Sequence, residues 1–250
     1  MPRDRQSVAA STFPEIRFGG FSRVDGLVAF YTRVHALLQP EHTALDIGCG
    51  RGTQSDDLSP RRGRMRSMRG ACRHTIGIDV DPIGKDNPFI EEFRLIEPPY
   101  ERWPIEDASI DLAMSDCVLE HIEKPDAFFA ELARVLKPGG HICMRTPNSL
   151  GYIAIASRLV PNSMHQRILK RLQPHRPTDD VFPTYYRANR KGRINKLLAT
   201  HGFEGVIYRH EGQPGYLTFS KLAFRMGSWA GRLMPDVFKS TLLIFAQRQE

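Results

Sequence analysis

Residues 44–53 read ALDIGCGRGT: a short apolar strand runs straight into glycines at positions 48, 50 and 52. Glycine has no Cβ and accepts positive φ, so glycines at alternate positions let the backbone turn sharply and approach a ligand closely. A strand ending in such a turn points to an α/β architecture, where ligands sit outside the carboxyl ends of parallel strands. The chain continues in that style. His74–Val80 is a second strand pattern ending in acid, Phe93–Ile96 a weaker third, Ile110–Met114 a fourth and His141–Thr146 a fifth. Between the last two, Pro125–Lys137 reads as a helix with Phe128, Phe129, Leu132, Val135 and Leu136 on one face, stopped by Pro138-Gly139-Gly140. Upstream, Val24, Leu27, Val28, Tyr31, Val34 and Leu38 recur at three and four residues. They predict a helix opened by a capping box at Ser22 and Asp25 and closed at Gln39-Pro40. Phe203–Tyr208 and Thr241–Gln247 read as two further strands, with Asn189 as the cap of a helix running to Thr200. Strands alternating with helices predict βαβ units and a mostly parallel sheet.

Composition permits this. With 250 residues, the chain makes one large domain or two small ones, and the strand order favours a single domain over 22–250. An apolar content of 41% supports a sizeable core and excludes wholesale disorder. No window approaches the roughly 18 uninterrupted apolar residues of a membrane span. The start, MPRDRQSVAA, lacks the apolar run of a secretory signal, and residues 1–21, ending in Gly19-Gly20, read as a flexible arm. Cys49, Cys72, Cys117 and Cys143 are scattered without a CxxC pair, which suits a reduced, cytoplasmic chain. No cluster of His, Asp and Glu at ligand spacing stands out, so no metal is expected.

The chemistry follows from the acids around the turn. Asp46 would repel a phosphate and suits an ammonium or sulfonium instead. The third glycine comes one position too early for the dinucleotide fingerprint. Asp79, at the end of the second strand, can accept both hydroxyls of a ribose. Two more segments fall in order: WPIEDASIDLAMSDCVLEHI from Trp103 to Ile122, and ARVLKPGGHICMRTPN from Ala133 to Asn148. Together these resemble the class I S-adenosylmethionine-dependent methyltransferases, in particular the small-molecule branch with an LDIGCGxG…LEHI…LKPGG pattern, over roughly residues 40–150.

That resemblance implies a Rossmann-like, doubly wound sheet of seven strands, mostly parallel with an antiparallel last strand. It implies S-adenosyl-L-methionine as cofactor and methyl transfer as the reaction. Asp46, Gly48, Cys49, Gly50 and Gly52 match the motif for the methionyl end. Asp79 matches the ribose acid, with Val80 and Asp81 beside the adenine. Ser115, Asp116 and Cys117 match the floor of the site near the transferable methyl, with Asp116 alternatively touching the acceptor or the cofactor amine. Ile105, Glu106, Asp107 and Asp111 match the segment framing the fourth strand, Asp111 as a structural strand-start acid. Where many relatives carry Gly-Asp after the third strand, this chain reads Leu95-Ile96-Glu97, so the adenine contact passes to Glu97 or a backbone carbonyl.

The acceptor is less legible. His121, just past the fourth strand, is the candidate general base for a hydroxyl acceptor, or else a structural histidine bonded to a neighbouring loop. Tyr185, Tyr186, His165 and His175 are weaker candidates. Substrate-covering segments are expected near 150–188 and 214–236. In the second, Leu217, Phe219, Leu222, Phe224, Met226, Trp229 and Leu233 alternate with Lys221, Arg225 and Arg232. That pattern fits a helix packed on the domain, or an amphipathic basic element touching anionic membrane. The net charge of +7 is mostly arginine, six of them between 61 and 73. They form a solvated basic segment or a phosphate track. The expected acceptor is an oxygen of a small molecule, a glycan or a lipid-linked compound, in a cytoplasmic protein or one peripheral to the inner face of a membrane. The alternatives are an RNA methyltransferase using segment 61–73 and a non-catalytic binding protein of this fold. Against nucleic acid, no RNA-binding module is appended, and the place of an NPPY-like motif reads SDCV.

Overall fold

A computed structural model describes residues 7–52, 60–159 and 182–250, with side chains left aside at 60–62 and 156–159. Thr53, His165, His175 and residues 160–181 of the expected covering segment lie outside the described residues. The strands are β1 (Thr43–Ile47), β2 (His74–Asp79), β3 (Glu92–Leu95), β4 (Ile110–Asp116), β5 (Leu136–Pro147), β6 (Phe203–His210) and β7 (Thr241–Arg248). The helices are α1 (Gly26–Leu37), α2 (Pro60–Arg66), α3 (Pro125–Val135), α4 (Tyr152–Leu159), α5 (Lys191–Thr200) and α6 (Lys221–Leu233).

The seven strands form one sheet in the order β3-β2-β1-β4-β5-β7-β6. The pairs from β3 through β5 are parallel, and β7 runs antiparallel to both its neighbours. This is the doubly wound, Rossmann-like arrangement that the alternating strands and helices imply. Chain order reverses between β1 and β4, so the connections leaving their carboxyl ends diverge and open a crevice there.

Period-two alternation sorts the core into two layers. Leu45 and Ile47 of β1 point into one, with Phe129 and Leu132 of α3 and Ile194 and Leu198 of α5. Ala44 points into the other, with Leu27, Phe30, Tyr31 and Val34 of α1. Both faces of the central strands are thus covered, which is why they read as continuous apolar runs.

Several boundaries differ from the sequence expectation. The cap of α1 is Asp25 alone, whose Oδ1 accepts the amides of Leu27 at 3.0 Å and Val28 at 3.3 Å. A cap must reach the second or third helical amide, and Ser22 lies too far upstream. Asn189 does not cap α5; its amide donates to Thr146 Oγ1 at 2.6 Å and to the Pro147 carbonyl at 3.2 Å. Arg190 takes the cap position without a side-chain bond. α3 ends at Val135 because Leu136 already pairs with Ile110, and Pro138-Gly140 fall at the register shift before His141 pairs with Leu112. The arm is not loose over its described part: Ala9, Phe13 and Ile16 are buried with Phe224 of α6. The Phe13 and Phe224 rings meet edge to face at 6.1 Å. Among the described residues, no helix is long and apolar enough to cross a membrane.

Candidate active site

The crevice at the carboxyl edge is a cavity of about 1470 Å³ that gathers Asp46, Asp79 and Asp116 from the ends of β1, β2 and β4. The turn after β1 is fixed from beneath: Gly48 and Cys49 donate their amides to the Ile78 carbonyl at 2.8 and 3.2 Å. At Gly48, φ is +68° and a Cβ would come within 2.4 Å of Val118. At Gly52, φ is +70° and a Cβ would meet Asn87 Oδ1 at 2.1 Å. Glycine is required at both by conformation and by space. Asn87 itself clamps the turn, donating to the Cys49 carbonyl at 2.8 Å.

Asp79 is buried and takes two backbone amides, Gly50 on Oδ2 at 2.8 Å and Asp81 on Oδ1 at 2.9 Å. Each carboxylate oxygen keeps a second lone pair, so the group can still accept two hydroxyls. Val80 and Asp81 lie beside it on the cavity wall. Asp81 also caps the following turn through the Ile83 amide. Ile96 lines the wall too, whereas exposed Glu97 is not among the lining residues.

Asp46 and Asp116 face each other with opposite titration behaviour. Burial, then the charges of Asp116 and Asp79, push the Asp46 carboxyl up to about 8. Among the described residues no hydrogen bond reaches its carboxylate. Burial pushes Asp116 the same way, but Arg145 outweighs it and holds the group below its usual range. The guanidinium grips Asp116 with Nε on Oδ1 at 2.6 Å and Nη2 on Oδ2 at 2.8 Å. Tyr31 adds its hydroxyl to Oδ2 at 3.0 Å. Arg66 of α2 stands on the same wall and lowers Asp116 further. The cleft thus holds one carboxylate matched by a cation of its own and one that lacks a partner, which a bound cation would complete.

Beyond Asp116 the backbone is strained: Cys117 takes φ +60°, held by its amide on the Arg145 carbonyl at 2.8 Å. A non-glycine residue in that region is uncommon and clusters at functional sites. Cys117, Cys49, Gly48, Gly50 and Gly52 all line the cavity. Ser115 does not; it is 1% exposed, on the opposite side of β4 from Asp116. Asp111 anchors the start of β4, accepting the Thr43 amide at 2.8 Å and Lys137 Nζ at 2.7 Å.

The outer wall comes from 119–128 and 182–185. Glu120 is buried on Thr146 Oγ1 at 2.9 Å, and its carbonyl accepts the amides of Tyr185 and Tyr186 at 2.8 and 3.1 Å. His121 Nδ1 lies 2.7 Å from the Pro183 carbonyl, and its ring meets Phe182 at 6.2 Å. A carbonyl only accepts, so Nδ1 carries the proton and Nε2 of the neutral ring is left as an acceptor. Tyr100, Trp103, Phe128, Phe182 and Tyr185 give this end an aromatic lining, with Lys124 beside them.

Two arginines of the basic segment have contacts within the fold. Arg69 donates to the Pro88 carbonyl at 3.1 Å and pairs with Glu91 at 3.5 Å, while Arg73 donates to Thr43 Oγ1 at 2.9 Å. Tyr31, Arg66, Asn87 and Arg145 are the site residues that sequence reasoning missed. The one local signal was Arg145, a cation inside an apolar strand.

Residues 45–144 match a family model described as a methyltransferase domain. An uncharacterized 37.1 kDa protein in a transposon of Streptomyces fradiae is 34% identical over 115 residues, 44% of this chain and 31% of that one. A probable S-adenosylmethionine-dependent methyltransferase of Mycolicibacterium smegmatis is 26% identical over 64% of this chain and 51% of its own length. The chain thus spans about a third to a half of these curated relatives. Geranyl diphosphate C-methyltransferase from Streptomyces coelicolor, solved with Mg2+, geranyl diphosphate and S-adenosyl-L-homocysteine, superposes with a TM-score of 0.53 at 16% identity. That superposition covers 88% of this chain and 78% of that one, and speaks for the fold.

Proposed function

We propose, from the premise that residues 45–144 are a class I S-adenosylmethionine-dependent methyltransferase domain, that this chain transfers a methyl group to an oxygen of a small-molecule, glycan or lipid-linked acceptor. The observation that carries the reading is the unpartnered carboxylate of Asp46 beside the glycine turn, one strand from the half-satisfied Asp79. A sulfonium nucleoside with an α-amino group needs those two features: an anion for its cationic end and an acceptor pair for its ribose.

The residues present fit that cofactor. Asp46 would hold the ammonium, the backbone of Gly48, Cys49, Gly50 and Gly52 would cradle the methionyl end, and Arg66 would face its carboxylate. Asp79 would accept the ribose hydroxyls, with Val80, Asp81 and Ile96 along the base. Asp116 and Cys117 would floor the site, with Ser115 packed behind them. When bound, S-adenosyl-L-methionine supplies an electrophilic methyl on sulfur. The chain's own task is then to hold the acceptor in near-attack geometry, a contribution of roughly 7–11 kcal/mol in well-oriented reactions.

His121 is assigned as the general base. The bond to Pro183 fixes its tautomer, and Nε2 can take the proton of an acceptor hydroxyl. The aromatic wall suits an acceptor with an apolar or sugar-like face, and Lys124 beside it is paired with Glu101. An acceptor on a lipid anchor is met at a membrane surface, so the reading includes peripheral contact with anionic lipid.

Isothermal calorimetry with S-adenosyl-L-methionine tests the first half; folded protein that shows no binding at millimolar cofactor removes the proposal. Release of S-adenosyl-L-homocysteine with sugar, lipid and RNA pools tests the second. Turnover with RNA alone reassigns the acceptor, and cofactor binding without release from any pool supports a binding protein.

A further inference from the structure

The outward face of α6 carries large apolar side chains where a surface helix should be polar. Leu222, Met226, Trp229 and Leu233 are 68%, 63%, 65% and 63% exposed. At 3.6 residues per turn their spacings of four, three and four place them within an arc of about 60°. Phe219, 72% exposed, extends the stripe past the cap at Ser220. The opposite face satisfies the core: Phe224 and Ser228 are buried, and Phe224 packs against Phe13. Among the described residues the helix is therefore docked by one side and unpartnered on the other, and a contiguous apolar stripe of this kind marks an interaction surface.

Charge indicates the partner. Arg225 and Arg232 lie together along one flank of the stripe, seven residues apart. With Arg23 and Thr12, and with Leu222, Met226 and Trp229 of the stripe itself, they line a groove of about 760 Å³ between α6 and the N-terminal segment. Glu15 is paired with Arg23 at 3.3 Å, Asp236 with Arg209 at 3.0 Å and Lys239 at 3.1 Å, and Glu211 accepts the Ser240 amide at 2.8 Å. Among the described residues neither Arg225 nor Arg232 has an ion pair. An apolar stripe edged by arginines, with tryptophan at its centre, is complementary to an anionic bilayer: acyl chains for the stripe, phosphates for the arginines.

Topology aims this face. β6 is parallel to β5, because both run antiparallel to β7, so β6 ends at the same sheet edge as β1, β2 and β4. α6 lies in the connection leaving that end, on the edge where the cleft opens. A protein seated by α6 would present the cleft toward the lipid surface.

We propose that α6 and the arginine-bordered groove beside it dock this protein on the surface of an anionic membrane. The proposal deepens the lipid-linked acceptor reading and rests on it for its purpose. Vesicle binding, however, needs neither cofactor nor turnover, so the two can fail separately.

The test is sedimentation of the full chain with vesicles of phosphatidylcholine alone and of phosphatidylcholine with phosphatidylglycerol, alongside tryptophan emission. The chain has two tryptophans, and Trp103 is 4% exposed, so a blue shift on vesicle addition reports Trp229. Binding to the anionic vesicles with a blue shift is expected. R225E/R232E should weaken it by roughly tenfold or more. L222S/M226S should lose the shift, with unchanged far-UV circular dichroism and cofactor affinity. No binding to anionic vesicles overturns the proposal. So does equal binding to both vesicle types, or a dimer in analytical ultracentrifugation that L222S/M226S dissolves.

Discussion

Asp46→Asn should make the cofactor-free protein more stable and bind the cofactor less well, and the two changes follow from one number. Ordinary aspartate titrates near 3.8, whereas Asp46 in the folded chain titrates at about 8, chiefly through burial and then through Asp116 and Asp79. Between those values the folded chain carries a proton that the unfolded chain has released. The folded state binds more protons there, so stability is fully present below the unfolded value and falls as pH rises, by about 1.4 kcal/mol per unit. Near pH 8 both states are ionised and the loss levels off. At pH 7 the accumulated penalty is about 4 kcal/mol relative to the protonated site. Asparagine keeps the shape without the titrating proton, so its advantage over the wild type should grow from about pH 4 and flatten above about pH 8. Urea unfolding across that range measures it, and subtracting the two profiles cancels the titrating groups that do not interact with Asp46. Cofactor affinity should move the opposite way. Losing a charge-assisted bond to the ammonium costs about 1.5–3 kcal/mol, roughly 10- to 100-fold in Kd. Wild-type affinity should also rise with pH as the carboxylate ionises, with a proton released on binding. A variant destabilised at every pH, or two parallel profiles, would refute the reasoning and make Asp46 a structural acid.

Three further substitutions separate the roles within the cleft. Asp79→Ala removes the acceptor of the Gly50 and Asp81 amides as well as the ribose contact, and should lower cofactor affinity by about 100-fold or more in calorimetry. Unchanged affinity sinks that assignment. His121→Gln should cut kcat by roughly 10²–10⁴-fold while leaving the Kd for the cofactor unchanged. An unaltered kcat leaves the ring only its bond to Pro183. Asp116→Asn leaves the buried Arg145 without a matching charge, and should cost about 3–5 kcal/mol in chemical denaturation. A loss well under 1 kcal/mol shows that water or another anion already serves Arg145.

The parts of this site that sequence reasoning reached are local. The glycine turn announces itself because conformation and close approach both demand glycine at positions 48 and 52. Asp79 is visible because an acid closing an apolar strand has no place in a core. What was missed is held by contacts across the chain. Tyr31 meets Asp116 from 85 positions away, Asn87 reaches Cys49 from 38, and Arg145 reaches Asp116 from 29. No window of sequence contains such a pair; the sheet order creates it. Ser115 is a different case: it is 1% exposed and does not line the cavity, although Asp116 and Cys117 beside it do.

The same distinction governs how the charge of +7 is to be read. Net charge draws a protein toward any anion, and only its placement discriminates among them. Arg145 is spent inside the fold on a carboxylate, and the exposed Arg69 and Arg73 bond a carbonyl and a hydroxyl at the surface. Among the described residues Arg225 has no ion pair and Arg232 only stacks over the Phe13 ring at 6.0 Å, and both adjoin side chains that gain nothing from a phosphate backbone. A nucleic-acid track works by counterion release, so its affinity collapses steeply and log-linearly with salt. A surface that also buries leucine, methionine and tryptophan keeps an apolar component which salt does not screen. Retention on anionic vesicles should therefore decline with salt to a plateau set by the stripe, and L222S/M226S should lower that plateau while R225E/R232E lowers the approach to it. Retention that falls to nothing at high salt would return the charge to an electrostatic partner alone, and with it the case for RNA.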